Sequence, residues 1–179
     1  GTHGKTTTTS MCTHIFMAAE ADPTVMIGGT LPLLHSGYRV GQGDTIILES
    51  CEYCNSFLSF YPTVAVVLNV EADHLDFFKD LEDIKRSFRR FVELVPPGGS
   101  VVVNADNAGA RDIAQGLGAF TFGLEPGAEC TAVNLREDKG RPVFDIHVHG
   151  KFYAHAELRV YGRHNVSNAL AAASAAYVL

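Results

Sequence analysis

The chain opens with Gly1-Thr2-His3-Gly4-Lys5-Thr6 and continues into a segment that contains neither Gly nor Pro as far as Ala21. A Gly-Lys-Thr triplet at the start of a helix is typical of a phosphate-binding loop, in which backbone N–H groups and the helix dipole face the phosphates. In such a loop, Lys5 neutralises the β- and γ-phosphate oxygens and the Thr6 hydroxyl binds Mg²⁺. The full pattern has a further glycine and a buried strand before it, which we expect upstream of Gly1.

The composition indicates one globular α/β domain. The chain has 179 residues, of which 46% are hydrophobic and 19% are charged, as is usual for such a domain. A net charge of −6 without a basic stripe argues against a general nucleic-acid binder. The longest apolar run, Thr63–Val70, is too short to cross a bilayer. Because the chain opens directly on a glycine-rich motif, we expect no signal peptide and a cytoplasmic protein without membrane insertion.

Four cysteines raise the question of a metal or disulfide site. Cys51 and Cys54 form a C-x-x-C pair, but no second pair of this kind exists to complete a four-ligand zinc site. We therefore interpret this pair as reduced thiols.

Predicted strands and helices alternate along most of the chain. The run Thr63–Val70 is β-branched and does not alternate with polar residues, which predicts a central parallel strand covered on both faces. The other elements predicted before residue 124 are a helix over 5–21, strands over 25–27 and 45–49 with a turn or hairpin over 36–43 between them, a helix over 80–94, a strand over 100–105, a helix over 108–117 and a strand over 119–123.

The pattern changes in the last third of the chain. Polar and apolar side chains alternate over residues 131–135, 143–149 and 152–160, which predicts a small antiparallel sheet with one solvent-exposed face. An alanine-rich helix is predicted over 165–179. The predicted fold class is therefore α/β, a three-layer domain with a mostly parallel, P-loop-type sheet and a small added antiparallel sheet.

Polar side chains follow two of the predicted strands. Glu49 closes the strand over 45–49, where a carboxylate would face the phosphates and bind Mg²⁺, whereas Glu52 is expected in the loop beyond. The segment Asn69-Val70-Glu71-Ala72-Asp73-His74-Leu75-Asp76 follows the most buried strand, at the carboxyl end where α/β sites form. His74 is therefore a candidate ligand for a second Mg²⁺. We expect the two strands to adjoin in a parallel sheet, so that Glu49 and His74 bracket one metal site.

A third group of polar residues, Gly162–Asn168, lies between a β-run and the alanine-rich helix. One interpretation is that Asn165 caps this helix. The other is that Asn165 and Asn168, at positions i and i+3, combine with His164 to supply donors and acceptors for an adenine edge.

Together these segments resemble the Mur ligase family, over essentially the whole chain and in the right order. Gly1–Thr7 is similar to the family's phosphate loop, Asn69–Asp76 to its D-H-[LM]-D segment and His164–Asn168 to its H-N-x-x-N signature. The resemblance implies that residues 1–179 are the family's central ATPase domain, without the N-terminal UDP-binding and C-terminal domains. Family members join a carboxylate to an amine through an acyl phosphate, and ATP and Mg²⁺ are the implied ligands.

Within the family, His3 and the acidic run from Glu49 to Leu58 are similar to the branch that adds L-alanine to UDP-N-acetylmuramate in peptidoglycan precursor synthesis. Two alternatives stay open: the branch that recycles murein tripeptide, and a non-catalytic nucleotide-binding module. The recycling branch is expected to carry an Ala-Phe-Phe-Asp run, which this chain lacks. Other branches carry a carbamylated lysine at the positions where this chain has Phe88 and Arg89.

The resemblance also implies roles for individual residues. Catalysis by charge stabilisation is assigned to Lys5, Glu49 and His74, and metal binding to Thr6, Glu49 and His74. The implied contacts to ATP are Gly1, Thr2, His3, Gly4, Lys5, Thr6 and Thr7 for the phosphates, and His164, Asn165 and Asn168 for the adenine. Residues 1–179 alone are expected not to ligate, since they contain no recognisable uridine or amino-acid pocket.

Overall fold

The computed structural model describes every residue from Gly1 to Leu179. Its helices and strands, in chain order, are α1 (Lys5–Ala18), β1 (Thr24–Leu31), β2 (Ser36–Arg39), β3 (Ile46–Leu48), β4 (Val64–Val67), α2 (Leu81–Val92), β5 (Ser100–Asn104), α3 (Ala108–Ala114), β6 (Phe120–Gly123), β7 (Cys130–Asp138), β8 (Arg141–Val148), β9 (Lys151–Glu157) and α4 (His164–Val178). A 3₁₀ segment, Tyr53–Ser59, lies between β3 and β4. None of the helices has the length and apolar character that crossing a membrane requires.

Six strands form one large sheet in the order β4-β5-β6-β7-β8-β9. The strands from β4 to β7 are parallel, and β7, β8 and β9 pair antiparallel. The predicted α/β class with a mostly parallel sheet is thus confirmed. The antiparallel strands continue the large sheet, because Cys130 in β7 pairs with Phe122 on one side and with Val148 on the other.

Strand β4 lies at the edge of the large sheet, although its apolar run predicted a central position. It pairs with β5 alone. Both of its faces are nevertheless covered: Ala65 and Val67 pack into one hydrophobic cluster, and Val64 and Val66 pack against a second cluster on the other face. Burial on two faces produces the same unalternating sequence at the edge of a sheet as at its centre, so the pattern could not locate the strand.

A separate three-stranded sheet has the order β2-β1-β3, with β2 antiparallel and β3 parallel to β1. The expectation that the strand before Glu49 adjoins the strand before His74 is therefore wrong, since β3 pairs with β1 and β4 pairs with β5. Between β3 and β4 lies a cavity of about 500 Å³ with a mostly apolar lining that includes Ile47, Val66 and Phe91.

Helix α2 is stabilised by its N-terminal cap and by the packing of its buried face against the core. The Asp80 carboxylate accepts a hydrogen bond from the Asp83 N–H, and acidic residues in the first turn with arginines in the last turn complement the helix dipole. On the buried face, the Phe88 ring packs against Phe57 with 5.2 Å between ring centroids. This packing fixes the 3₁₀ segment, and with it the preceding loop, against the helix.

Phe88→Ala should lower the free energy of unfolding by roughly 3–5 kcal/mol, because it leaves a cavity in the core. Phe88 is only 1% exposed. Denaturant titration followed by circular dichroism measures the change. Phe152→Ala is the matched control, since Phe152 in β9 is 63% exposed and its truncation should change stability by less than about 0.5 kcal/mol. Equal losses in the two variants would contradict the packing described for α2.

On the face of β8 and β9, the hydrogen bond between Asp145 and His155 raises the pKa of His155 above its ordinary value of 6.5. A raised folded-state pKa stabilises the fold below the unfolded value, and this contribution is lost as the pH rises through the folded value. Asp145→Asn should therefore lower the His155 pKa, as measured by NMR titration of the ring protons. Glu157→Gln should lower it less, and an unchanged midpoint in Asp145→Asn would disprove the assignment.

Candidate phosphate-binding site

The loop before α1 is shaped by one glycine and one asparagine. Gly4 has a left-handed φ of 84°, and a Cβ atom there would lie 2.5 Å from Asn168 Oδ1, so this position requires glycine. Asn69, two residues after the end of β4, accepts a hydrogen bond from the His3 N–H at 2.8 Å and donates one to the His3 carbonyl at 3.0 Å. The Asn69 carbonyl also accepts from the Thr2 N–H at 3.4 Å. These bonds tie the loop to the carboxyl end of β4.

The N-terminus of α1 has no side-chain cap and no acidic residue in its first turn. Its first N–H groups therefore point out of the helix without an internal partner, and the helix dipole favours an anion there. Of the other loop residues assigned to phosphate contacts, Thr2 is buried, Thr7 is half-buried and the His3 side chain is exposed, 3.8 Å from the Glu71 carboxylate. A Cβ atom at Gly1 would lie 3.1 Å from Leu68 Cβ and 3.2 Å from the Asn69 backbone, so there is little room for a side chain.

Thr6 and Glu49 lie together although 43 positions separate them. The Thr6 hydroxyl donates a hydrogen bond of 2.9 Å to Glu49 Oε1, and the Gly28 N–H of β1 donates one of 2.7 Å to Glu49 Oε2. A hydroxyl and a carboxylate at this separation offer the hard oxygen ligands that Mg²⁺ takes alongside water and phosphate. The two residues therefore fit the metal role that the sequence assigned to them.

Lys5 is turned toward the protein. Its Nζ atom donates to the Gly1 carbonyl at 2.8 Å, to the Thr2 carbonyl at 3.3 Å and to Glu52 Oε1 at 3.1 Å. Glu52 lies in the loop after β3, as expected, but it is only 2% exposed. Sequence reasoning missed its contact with Lys5, because a glutamate beyond a strand end has the local pattern of a solvated residue.

His74 belongs to a neighbouring cluster. Its ring lies 5.0 Å from the Tyr53 ring, and its Nε2 is 3.9 Å from the Asp73 carboxylate. The Tyr53 hydroxyl donates to Asp76 at 3.2 Å, and this hydrogen bond raises the Tyr53 pKa. The structure has no hydrogen bond between His74 and Glu49, and no three His, Cys, Asp or Glu side chains converge on a metal position. A metal role for His74 stays a prediction.

The N-terminus of α4 meets the phosphate loop. Helix α4 begins at His164, so Asn165 lies inside the helix and the interpretation of Asn165 as its cap is wrong. The Asn165 amide instead donates to the Tyr161 carbonyl at 2.8 Å, and the Asn168 amide donates to Asn165 Oδ1 at 3.0 Å. Both asparagines are buried, whereas His164 is exposed. The adenine contacts stay predictions, and His164 is the most accessible of the three side chains.

Several solved structures share this fold. The UDP-N-acetylmuramate:L-alanyl-gamma-D-glutamyl-meso-diaminopimelate ligase from Neisseria meningitides matches with a TM-score of 0.85 and 30% identity, over 99% of this chain and 59% of its own. The UDP-N-acetylmuramate-alanine ligase MurC from Thermotoga maritima matches with a TM-score of 0.81 and 30% identity, over 96% of this chain and 38% of its own.

Sequence relatives cover the chain completely. The UDP-N-acetylmuramate--L-alanine ligase of Clostridium novyi is 43% identical over 181 residues, which are 100% of this chain and 39% of the relative. The protein of the same name from Caldanaerobacter subterraneus is also 43% identical, with 100% and 40% covered. The chain thus spans about two fifths of the length of the curated relatives it matches. The family model of the Mur ligase middle domain matches residues 1–176, and the chain belongs to that family.

Proposed function

We propose that this chain is the ATP-binding domain of an enzyme that joins L-alanine to UDP-N-acetylmuramate in the cytoplasm. The observation that carries the proposal is the contact of Thr6 with Glu49 at the open N-terminus of α1, beside Lys5. It is supported by membership of the Mur ligase middle domain family and by the relatives of that name at 43% identity. Mur ligases in general use ATP and Mg²⁺.

The proposed chemistry is phosphoryl transfer followed by acyl transfer. The N–H groups at the start of α1 hold the phosphates, and Lys5 neutralises charge on the γ-phosphoryl group while the muramate carboxylate attacks it. Thr6 and Glu49 hold Mg²⁺, which supplies further charge neutralisation when bound. The alanine amine then displaces phosphate from the acyl phosphate through a tetrahedral intermediate. We further assign His74 to a second Mg²⁺, and His164, Asn165 and Asn168 to the adenine.

We also propose that residues 1–179 are the middle of a longer protein, between a UDP-binding domain and a C-terminal domain. The length of the relatives supports this, since they are about two and a half times as long as the chain. The cavity between β3 and β4 supports it too. A strand leading into the phosphate loop at Gly1 would fill this apolar space and pair with strands of both sheets.

A second candidate is the ligase that recycles murein tripeptide. The Neisseria structure with the TM-score of 0.85 is named as a ligase of UDP-N-acetylmuramate and a tripeptide, L-alanyl-gamma-D-glutamyl-meso-diaminopimelate. The sequences favour the alanine-adding enzyme, since identity is 43% to two proteins of that name and 30% to the Neisseria protein. A non-catalytic nucleotide-binding module would not need Lys5, Thr6 and Glu49 together. Their joint presence argues for an enzyme.

Lys5→Ala should weaken ATP binding by the complete protein at least tenfold, about 1.4 kcal/mol, because the phosphates lose their nearest fixed positive charge. Isothermal titration calorimetry measures the affinity. Lys151→Ala removes the same charge from the exposed start of β9 and should leave the affinity unchanged. If both variants bind ATP as the unaltered protein does, Gly1–Thr7 is not the nucleotide site.

The complete protein should form UDP-N-acetylmuramoyl-L-alanine from ATP, Mg²⁺, UDP-N-acetylmuramate and L-alanine. Purified residues 1–179 should form none, because the enclosed site that protects an acyl phosphate from water needs a second domain. Mass spectrometry detects the product. A panel containing murein tripeptide separates the two candidate ligases, since activity with the tripeptide alone would refute the alanine assignment. Product from residues 1–179 at the rate of the complete protein would refute the proposed domain division.

A further inference from the structure

Lys5 has no free hydrogen-bond donor in this structure. A lysine ammonium carries three N–H groups, and the Lys5 Nζ atom has three acceptors, namely the Gly1 and Thr2 carbonyls and Glu52 Oε1. The two carbonyls belong to the phosphate loop itself, and only Glu52 brings a full negative charge. A phosphate that binds Lys5 must therefore displace at least one of these acceptors, and the Glu52 carboxylate is its charged competitor.

Glu52 and Glu49 differ in how their carboxylates are satisfied. Both oxygens of Glu49 accept hydrogen bonds, one from Thr6 and one from the Gly28 N–H. Glu52 accepts from Lys5 through Oε1, whereas its Oε2 is buried without any hydrogen-bond partner. Its side chain is 3% exposed. A buried carboxylate with one unpaired oxygen is rare in proteins and is costly, and the single hydrogen bond from Lys5 offsets only part of that cost.

The backbone around Glu52 keeps the carboxylate at this position. Cys54 and Asn55 adopt left-handed φ angles of 53° and 59°, which are uncommon for residues other than glycine. The Asn55 side chain is hydrogen-bonded to Ser87 in α2, and the Phe57 N–H donates to the Cys51 carbonyl at 3.0 Å. The loop is thus anchored on the core from both sides, independently of Lys5.

We propose that Glu52 is the resting counter-ion of Lys5, which competes with the nucleotide for the lysine and releases it when the phosphates of ATP arrive. The inference rests on the proposed function, because it requires that Lys5 binds phosphate. The carboxylate opposes nucleotide binding through the lysine: it occupies a donor of Lys5, and it neutralises the positive charge that Lys5 would offer to a phosphate. Glu52 is therefore a positioning residue that lowers the affinity of the empty site for anions and acts through Lys5.

Glu52→Gln in the complete protein tests the proposal, with the affinity for ADP measured by calorimetry in EDTA, so that metal binding does not contribute. The variant is nearly isosteric and removes the charge, and it should bind ADP at least fivefold more tightly than the unaltered protein. A residue that only supports the fold would give weaker binding or none. Glu49→Gln is the matched control, since it removes a carboxylate three residues away that does not contact Lys5, and its gain should stay clearly below that of Glu52→Gln.

A double-mutant cycle then shows whether the effect passes through Lys5. In a Lys5→Met background, Glu52→Gln should change the ADP affinity by less than twofold. Equal or weaker ADP binding in Glu52→Gln would overturn the proposal, and so would a gain of the same size in the Lys5→Met background. If Glu52→Gln does not fold, Glu52→Asp takes its place. It withdraws the carboxylate by one methylene and should tighten binding at least twofold, and no tightening would overturn the proposal.

The control for the proposed function is the unaltered protein itself. Failure of the unaltered protein to bind ATP with Mg²⁺ would refute the nucleotide site as a whole. Tight Mg-ATP binding by the unaltered protein without tightening in Glu52→Gln would refute the counter-ion role alone.

Discussion

The hydrogen bonds between Asn69 and the loop at Thr2 and His3 determine where the N-terminus of α1 points. Asn69 lies two residues after the end of β4, so the carboxyl end of the large sheet fixes the loop. The left-handed Gly4 then turns the chain into α1 with Asn168 of α4 close against it. Helices α1 and α4 also pack on each other. The end of β4 and helix α4 therefore fix the direction of the free N–H groups at the start of α1.

The two carboxylates near the loop come from one short stretch of chain and have different surroundings. Glu49 leaves the end of β3 and is held on both oxygens, by the Gly28 backbone and the Thr6 hydroxyl. Glu52, three residues later, is buried and depends on Lys5 for its single partner. A carboxylate that must present one oxygen to a metal benefits from a fixed backbone partner. Under the proposed counter-ion role, Glu52 has to release Lys5 when a phosphate binds, and this costs less because only one hydrogen bond is broken.

Local patterns located most of the helices and strands and the start of α1 after Gly4, and they were insufficient for contacts between distant segments. Gly1–Thr6 predicted a phosphate loop before a helix, and α1 begins at Lys5 as expected. The pairing of β3 with β1 was not predictable, because a strand's partner depends on the whole topology and a three-residue strand carries little register information. The burial of Glu52 was missed for the same reason, since its partner Lys5 is 47 residues away. Nothing local in Glu52-Tyr53-Cys54 indicates it.

The proposed nucleotide site lies at the carboxyl ends of β3 and β4, which belong to different sheets. Glu49 belongs to the chain that leaves β3, and Asn69 to the chain that leaves β4. Thr6 belongs to α1, which packs on β1 and β3 and against α4. No ladder pairs β3 with β4, and the apolar cavity between them is where we propose that the strand before Gly1 lies. A cation held by Thr6 and Glu49, with phosphates at the start of α1, would lie at the carboxyl end of that strand as well. Under the proposed function, ligand binding would therefore stabilise the loop together with the strands on both sides of it.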